Sequence, residues 1–163
     1  MANKVLVAVF SASGVTKRVG QEIARISGGD FFEIVPAEKY TNADLNYMNS
    51  RSRSSVEMND PSVRPAIAGR VSDMDSYDTV IIGFPIWWGV APRIIETLLE
   101  SYDFSGKTII PFNTHMGSGN GGTYDTIREL EPKAKVLTGL PVEMRDAENG
   151  PAKAVEKWLK SLR

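Results

Sequence analysis

The sequence predicts an α/β protein, a three-layer, doubly wound single domain with a parallel sheet covered by helices on both faces. Three observations carry that prediction. Five short apolar runs rich in β-branched residues recur along the chain, as buried parallel strands do when both of their faces are packed. Amphipathic segments with apolar residues at three- and four-residue spacing lie between them. The length of 163 residues suits one core.

The first strand is Lys4 to Phe10 (KVLVAVF). A small polar turn, Ser11 to Thr16, leads into a helix whose Val15, Val19, Ile23 and Ile26 share a face. Ser27-Gly28-Gly29 ends it, glycine being a common helix stop. Phe31 to Val35 (FFEIV) is the second strand, closed by Pro36. Tyr40 to Met74 reads as irregular, with a short helix over Asn42 to Ser50. A connection this long in a compact domain is usually functional or mobile.

The third strand is Thr79 to Phe84 (TVIIGF), followed by the loop Pro85 to Pro92. Pro92 suits the first turn of a helix, whose apolar face is Ile94, Ile95, Leu98 and Leu99. Lys107 to Phe112 is the fourth strand and Asn113 to Gly122 a glycine-rich loop, with a helix near Thr123 to Glu131. A fifth strand begins at Lys135 to Leu137 and is interrupted near Gly139. Asn149-Gly150-Pro151 opens the last helix, striped by Ala154, Val155, Trp158, Leu159 and Leu162. Both plausible doubly wound strand orders place the ligand crevice at the carboxyl ends of the strands.

Composition excludes several classes. Hydrophobic residues are 42% and charged residues 24%, globular proportions that argue against disorder. With 19 basic and 20 acidic residues the net charge is -1, so no nucleic-acid surface is expected. No cysteine is present, which removes thiolate chemistry and zinc–cysteine sites. A single histidine, His115, excludes a multi-histidine metal site. No apolar run approaches the roughly 20 residues that span a bilayer. MANKVLVAVF reads as a strand rather than a signal peptide, so a cytoplasmic location is expected.

Three loops leave carboxyl ends and therefore converge. Ser11-Ala12-Ser13-Gly14-Val15-Thr16 joins a strand to a helix N-terminus, where free N–H groups and the helix dipole attract an anion. One hydroxyl would suffice for capping; three hydroxyls plus glycine point to phosphate. Pro85-Ile86-Trp87-Trp88-Gly89 holds two adjacent tryptophans. Either both pack into the domain, or one covers the sheet edge while the other offers a flat face for stacking a ring. In the third loop, Thr114, His115, Gly117 and Ser118 can present main-chain and imidazole groups to a ligand edge. Gly117, Gly119 and Gly122 spell G-x-G-x-x-G, but too far from the strand end for a tight pyrophosphate turn.

VAVFSASGVTKRV, YDTVIIGFPIWWGVAP and FNTHMGSGNGGTYDTI, in this order, resemble the flavodoxin-like FMN-binding proteins over nearly the whole chain. The resemblance implies a five-stranded sheet of order 2-1-3-4-5 with FMN at the switch point between strands one and three. It implies that Ser11, Ser13, Gly14, Val15 and Thr16 hold the phosphate. Pro85, Ile86, Trp87, Trp88 and Gly89 would line the isoalloxazine, and Thr114, His115, Gly117 and Ser118 its pyrimidine side. No residue is expected to be catalytic in its own right, and no metal is expected.

The expected role is an electron carrier of low potential that exchanges electrons with redox partner proteins, as a monomer or weak dimer. The alternative is an NAD(P)H-dependent FMN oxidoreductase or quinone reductase, towards which the near-neutral charge leans. The Tyr40 to Met74 segment, with Arg51, Arg53 and Arg64, is longer and more basic than a plain connector, and reads either as a lid or substrate surface or as a solvated loop. A third reading is a non-redox binding module on the same fold. A P-loop nucleotide site is excluded, since no Gly-Lys-Ser/Thr run exists.

Overall fold

A computed structural model describes residues 4–117, 123–150 and 152–161. Ser118, Gly119 and Gly122 of the third loop, Pro151 and Leu162 lie outside the described residues. In chain order the elements are β1 (Val5–Val9), α1 (Val15–Ser27), β2 (Asp30–Glu33), β3 (Val35–Pro36), α2 (Arg53–Asn59), β4 (Ile67–Ala68), β5 (Thr79–Pro85), α3 (Arg93–Ser101), β6 (Thr108–His115), α4 (Thr123–Leu130), β7 (Lys135–Val136), β8 (Leu140–Glu143), α5 (Met144–Asn149) and α6 (Ala152–Ser161).

The main sheet is parallel and runs β2-β1-β5-β6, with β7 and β8 sharing the last position. β7 pairs with the start of β6 and β8 with its end. Counting that broken strand once, the order is 2-1-3-4-5, as the resemblance implies. The break sits at Gly139, where a Cβ would lie 2.0 Å from the Pro111 carbonyl oxygen. Only glycine lets the two backbones approach so closely.

Strand side chains alternate between faces, and each face has its own core. Leu6, Ala8 and Phe10 of the first strand region join Val80, Ile82 and Phe84 beneath α3 and α4. Val7 and Val9 join Ile81, Ile110 and Phe112 beneath α1, α5 and α6. This is the doubly wound arrangement that the five apolar runs predict.

Four local expectations are corrected. β2 ends at Glu33, and Val35–Pro36 leaves the sheet to pair antiparallel with Ile67–Ala68. Pro36 therefore does not close the second strand; it sits at the base of an excursion through residues 37–66. The short helix is not at Asn42 to Ser50 but at Arg53–Asn59. Asn46 Oδ1 accepts from the Met48 N–H and Asn49 Oδ1 from the Arg51 N–H; such side-chain bonds compete with a helix. The helix starts where Ser52 accepts from the Ser55 N–H and Arg53 pairs with Glu57 one turn on.

β6 runs past Phe112 through Asn113, Thr114 and His115, a stretch the polar pattern assigns to a loop. Those residues stay in the strand because their neighbours satisfy them. Tyr124 Oη donates to Asn113 Oδ1 at 2.6 Å, and the main chain pairs with both β5 and β8. Finally, α5 precedes the last helix, and Ala154 is exposed rather than part of the buried stripe formed by Val155 and Trp158.

Candidate functional site

The turn after β1 is shaped by its own backbone. Ser11 Oγ accepts from the Gly14 N–H at 3.0 Å. Gly14 takes a φ of 93°, a left-handed conformation that glycine adopts without penalty. The first bond of α1 runs from the Arg18 N–H to the Gly14 carbonyl. The N–H groups of Val15, Thr16 and Lys17 thus stand at the helix start without intrahelical partners. No acidic residue lies in that first turn, and Lys17 reaches sideways to Glu33 at 2.8 Å. The electrostatics favour an anion at the backbone itself.

Thr16 is 2% exposed and Thr114 1% exposed, and their hydroxyl oxygens lie 2.7 Å apart. This bond ties the helix after β1 to the end of β6. Beside it, the Ile86 N–H donates to the Thr114 carbonyl at 3.0 Å. The three loops picked out in the sequence therefore meet along one edge of the sheet.

The two tryptophans divide their work. Trp87 packs edge-on against Phe10 and Tyr40, with ring centroids 5.6 and 5.5 Å away. Trp88 is 47% exposed. The main chain folds back on itself between them: Trp87 N–H bonds Val90 O, and Val90 N–H bonds Trp87 O. Trp88 and Gly89 have φ values of 51° and 80°, the signature of a tight hairpin turn with both central residues left-handed. A bulky residue at positive φ is held against its preference. The turn thus stores strain to present an indole to solvent.

These pieces border a cleft of about 450 Å³, within the about 300–1,000 Å³ of small-molecule sites. Ala12 and Ser13 form one end, the 85–89 segment a second side, and Thr114, His115 and Met116 a third. Among the described residues that line it, none carries a formal charge at neutral pH when histidine is neutral. His115 Nδ1 accepts from the Gly117 N–H at 3.0 Å, leaving Nε2 as the ring's donor in the neutral form.

The fourth side comes from the excursion after β3: Leu45, Tyr47 and Ser54. Its anchors are long-range. Tyr40 Oη donates to buried Glu57, and the Arg53 guanidinium lies 3.9 Å from the Tyr40 ring centre. Burial and then the bond to Glu57 push the Tyr40 phenol well above its usual range. Arg93 donates to the carbonyls of Glu57 and Met58.

A family model for flavodoxins matches residues 4–161. The chain belongs to the flavodoxin family. A candidate flavoprotein from Bacteroides eggerthii is 42% identical, with 98% of each chain covered and a TM-score of 0.90. Another from Bacteroides uniformis is 42% identical over 98% of this chain and 99% of its own, with a TM-score of 0.91. A Lactobacillus acidophilus flavoprotein in complex with FMN is 24% identical over 96% of this chain and 99% of that one, at a TM-score of 0.72, a likeness of fold. No curated protein sequence matches at a significant level.

In this flavodoxin-family chain the structure sorts the predicted residues. Ser13, Pro85, Ile86, Trp87, Trp88, Gly89, Thr114 and His115 line the cleft. Ser11, Gly14, Val15, Thr16 and Gly117 shape the flanking turns. Arg53 is committed to Glu57, and Arg64 to Glu96 and Glu100; of the three arginines singled out, Arg51 is the exposed one. Leu45, Tyr47 and Ser54 escaped sequence reasoning, since nothing local marks a loop that reaches the sheet edge through tertiary contacts. Among the described residues, no helix is long and apolar enough to cross a membrane and no cluster suits a metal ion.

Proposed function

We propose that the chain binds FMN and serves as a low-potential electron carrier. One observation supports this above the others: an uncharged cleft abuts a helix N-terminus with no acidic residue in its first turn, and an exposed indole is held at that cleft by a strained turn. The donor set fits the group. The N–H groups of Val15 and Thr16, with the Ser13 hydroxyl, hold the phosphate. Trp88 stacks on the ring, and Ile86 and Trp87 exclude water from it. Thr114, His115 and Gly117 border the pyrimidine edge.

Bound FMN supplies the electron-transfer chemistry. The protein tunes it by what it withholds. Without a fixed positive charge among the described lining residues, added negative charge on the ring gains no local stabilisation, and the potential falls. A reductive titration giving a potential at or above that of free FMN overturns this part. Binding is tested by the visible spectrum of the purified protein before and after adding FMN and removing excess by gel filtration. Retained flavin bands support the reading, and a colourless protein ends it. Commitment of Arg53 and Arg64 to carboxylates removes two cations that a pyridine-nucleotide surface would use, which favours the carrier over a reductase. Rapid bleaching of the flavin by NADPH alone would reverse that preference.

A further inference from the structure

The excursion carries three buried serines within four residues at the start of α2, Ser52, Ser54 and Ser55. Ser52 and Ser55 satisfy each other: Ser52 Oγ donates to Ser55 Oγ at 3.0 Å and accepts from the Ser55 N–H. Ser54 differs. It is 1% exposed, and its Oγ has no hydrogen-bond partner among the described residues. Its own N–H is spent on the Asp44 carbonyl at 2.9 Å, which pins the residue in place. It also belongs to the lining of the cleft, with Leu45 and Tyr47 of the same excursion.

Buried hydroxyls in folded proteins are nearly always paired, and one left unpaired is costly. A residue that only filled space at this position would do better as alanine. A seryl hydroxyl also swings between three staggered wells about χ1 at small cost, and it both donates and accepts. The oxygen is covered in this structure, so a ligand seated against this wall would meet it through such a turn about χ1.

We propose that Ser54 is a ligand-binding residue of the cleft, whose hydroxyl completes its hydrogen bonding on the ring or sugar-alcohol portion of the bound flavin. This rests on the FMN reading above. It assigns the 40–59 excursion a direct part in recognition, beyond closing the fold. The phosphate end of the ligand, held at the β1–α1 turn, plays no part in the Ser54 contact.

The test compares Ser54→Ala with the wild type, using FMN and riboflavin separately in fluorescence titrations of the flavin-free protein. Ser54→Ala should raise Kd by about tenfold to a hundredfold for both flavins, the usual consequence of losing a hydrogen bond to a buried group. The flavin-free variant should melt at or above the wild-type Tm, because an unpaired buried hydroxyl has been removed. A structural role would instead lower that Tm. Unchanged Kd values, a loss confined to FMN, or a lowered Tm without weaker binding each overturn the assignment while leaving the FMN reading intact. A wild-type chain that retains neither flavin overturns both.

Discussion

Two walls of the cleft are built on opposite principles. The turn from Ser11 to Thr16 is shaped by contacts within six residues: a serine hydroxyl on the Gly14 N–H, a left-handed glycine, and a helix start. The excursion from Tyr40 to Asn59 has little regular structure, and distant partners hold it. Tyr40 leans on Phe10 and Trp87, while Arg93 of α3 clasps the end of α2. The first wall is a property of its sequence. The second is a property of the assembled domain, so it should open first under stress.

Glu57→Ala tests that contrast with the largest effect. Glu57 is 6% exposed, and its loss strands Arg53 and Tyr40. The expected cost is about 3 kcal/mol, or roughly a 10 °C fall in Tm. Hydrogen exchange should accelerate over residues 40–59 and stay unchanged at the β1–α1 turn. Equal acceleration in both would make them one cooperative unit and erase the distinction.

Thr16→Val probes a long-range tie of the first wall, the bond between its hydroxyl and that of Thr114. It leaves the buried Thr114 hydroxyl unpaired, at about 1–3 kcal/mol. Thr16→Val with Thr114→Val should lose less than the two single losses added together. Strict additivity in urea unfolding would show that the two hydroxyls do not depend on each other.

Trp88→Gly should separate stability from binding. Removing a bulky residue from positive φ relieves strain, partly offset by glycine's freedom in the unfolded chain. Flavin-free stability should hold or rise by up to about 1 kcal/mol while FMN affinity drops. A clear loss of stability would place the indole in the packed structure instead.

Tyr40→Phe has the smallest effect, about 1 kcal/mol at neutral pH. The folded protein holds the Tyr40 proton above the usual phenol range. That contribution is complete below the unfolded phenol value of about 10 and declines as pH rises through the folded one. Stability curves of wild type and variant should therefore converge in alkali above about pH 10. Parallel curves would detach the Tyr40–Glu57 bond from the anchoring of this wall.

The sequence alone determined the alternation of five apolar strands with amphipathic helices, the interrupted fifth strand at Gly139, and the three loops that meet at the sheet edge. Those features follow from side-chain period, helix ends and turn residues, which act over a few neighbouring positions. Tertiary structure decided which tryptophan stays exposed, why Asn113 and Thr114 continue a strand, and which residues complete the cleft. Thr16 and Thr114 are 98 positions apart, and Leu45, Tyr47 and Ser54 belong to an excursion anchored by Tyr40, Arg53, Glu57 and Arg93. Such pairings depend on sheet register and on burial that satisfies polar groups, neither of which any short stretch of chain contains.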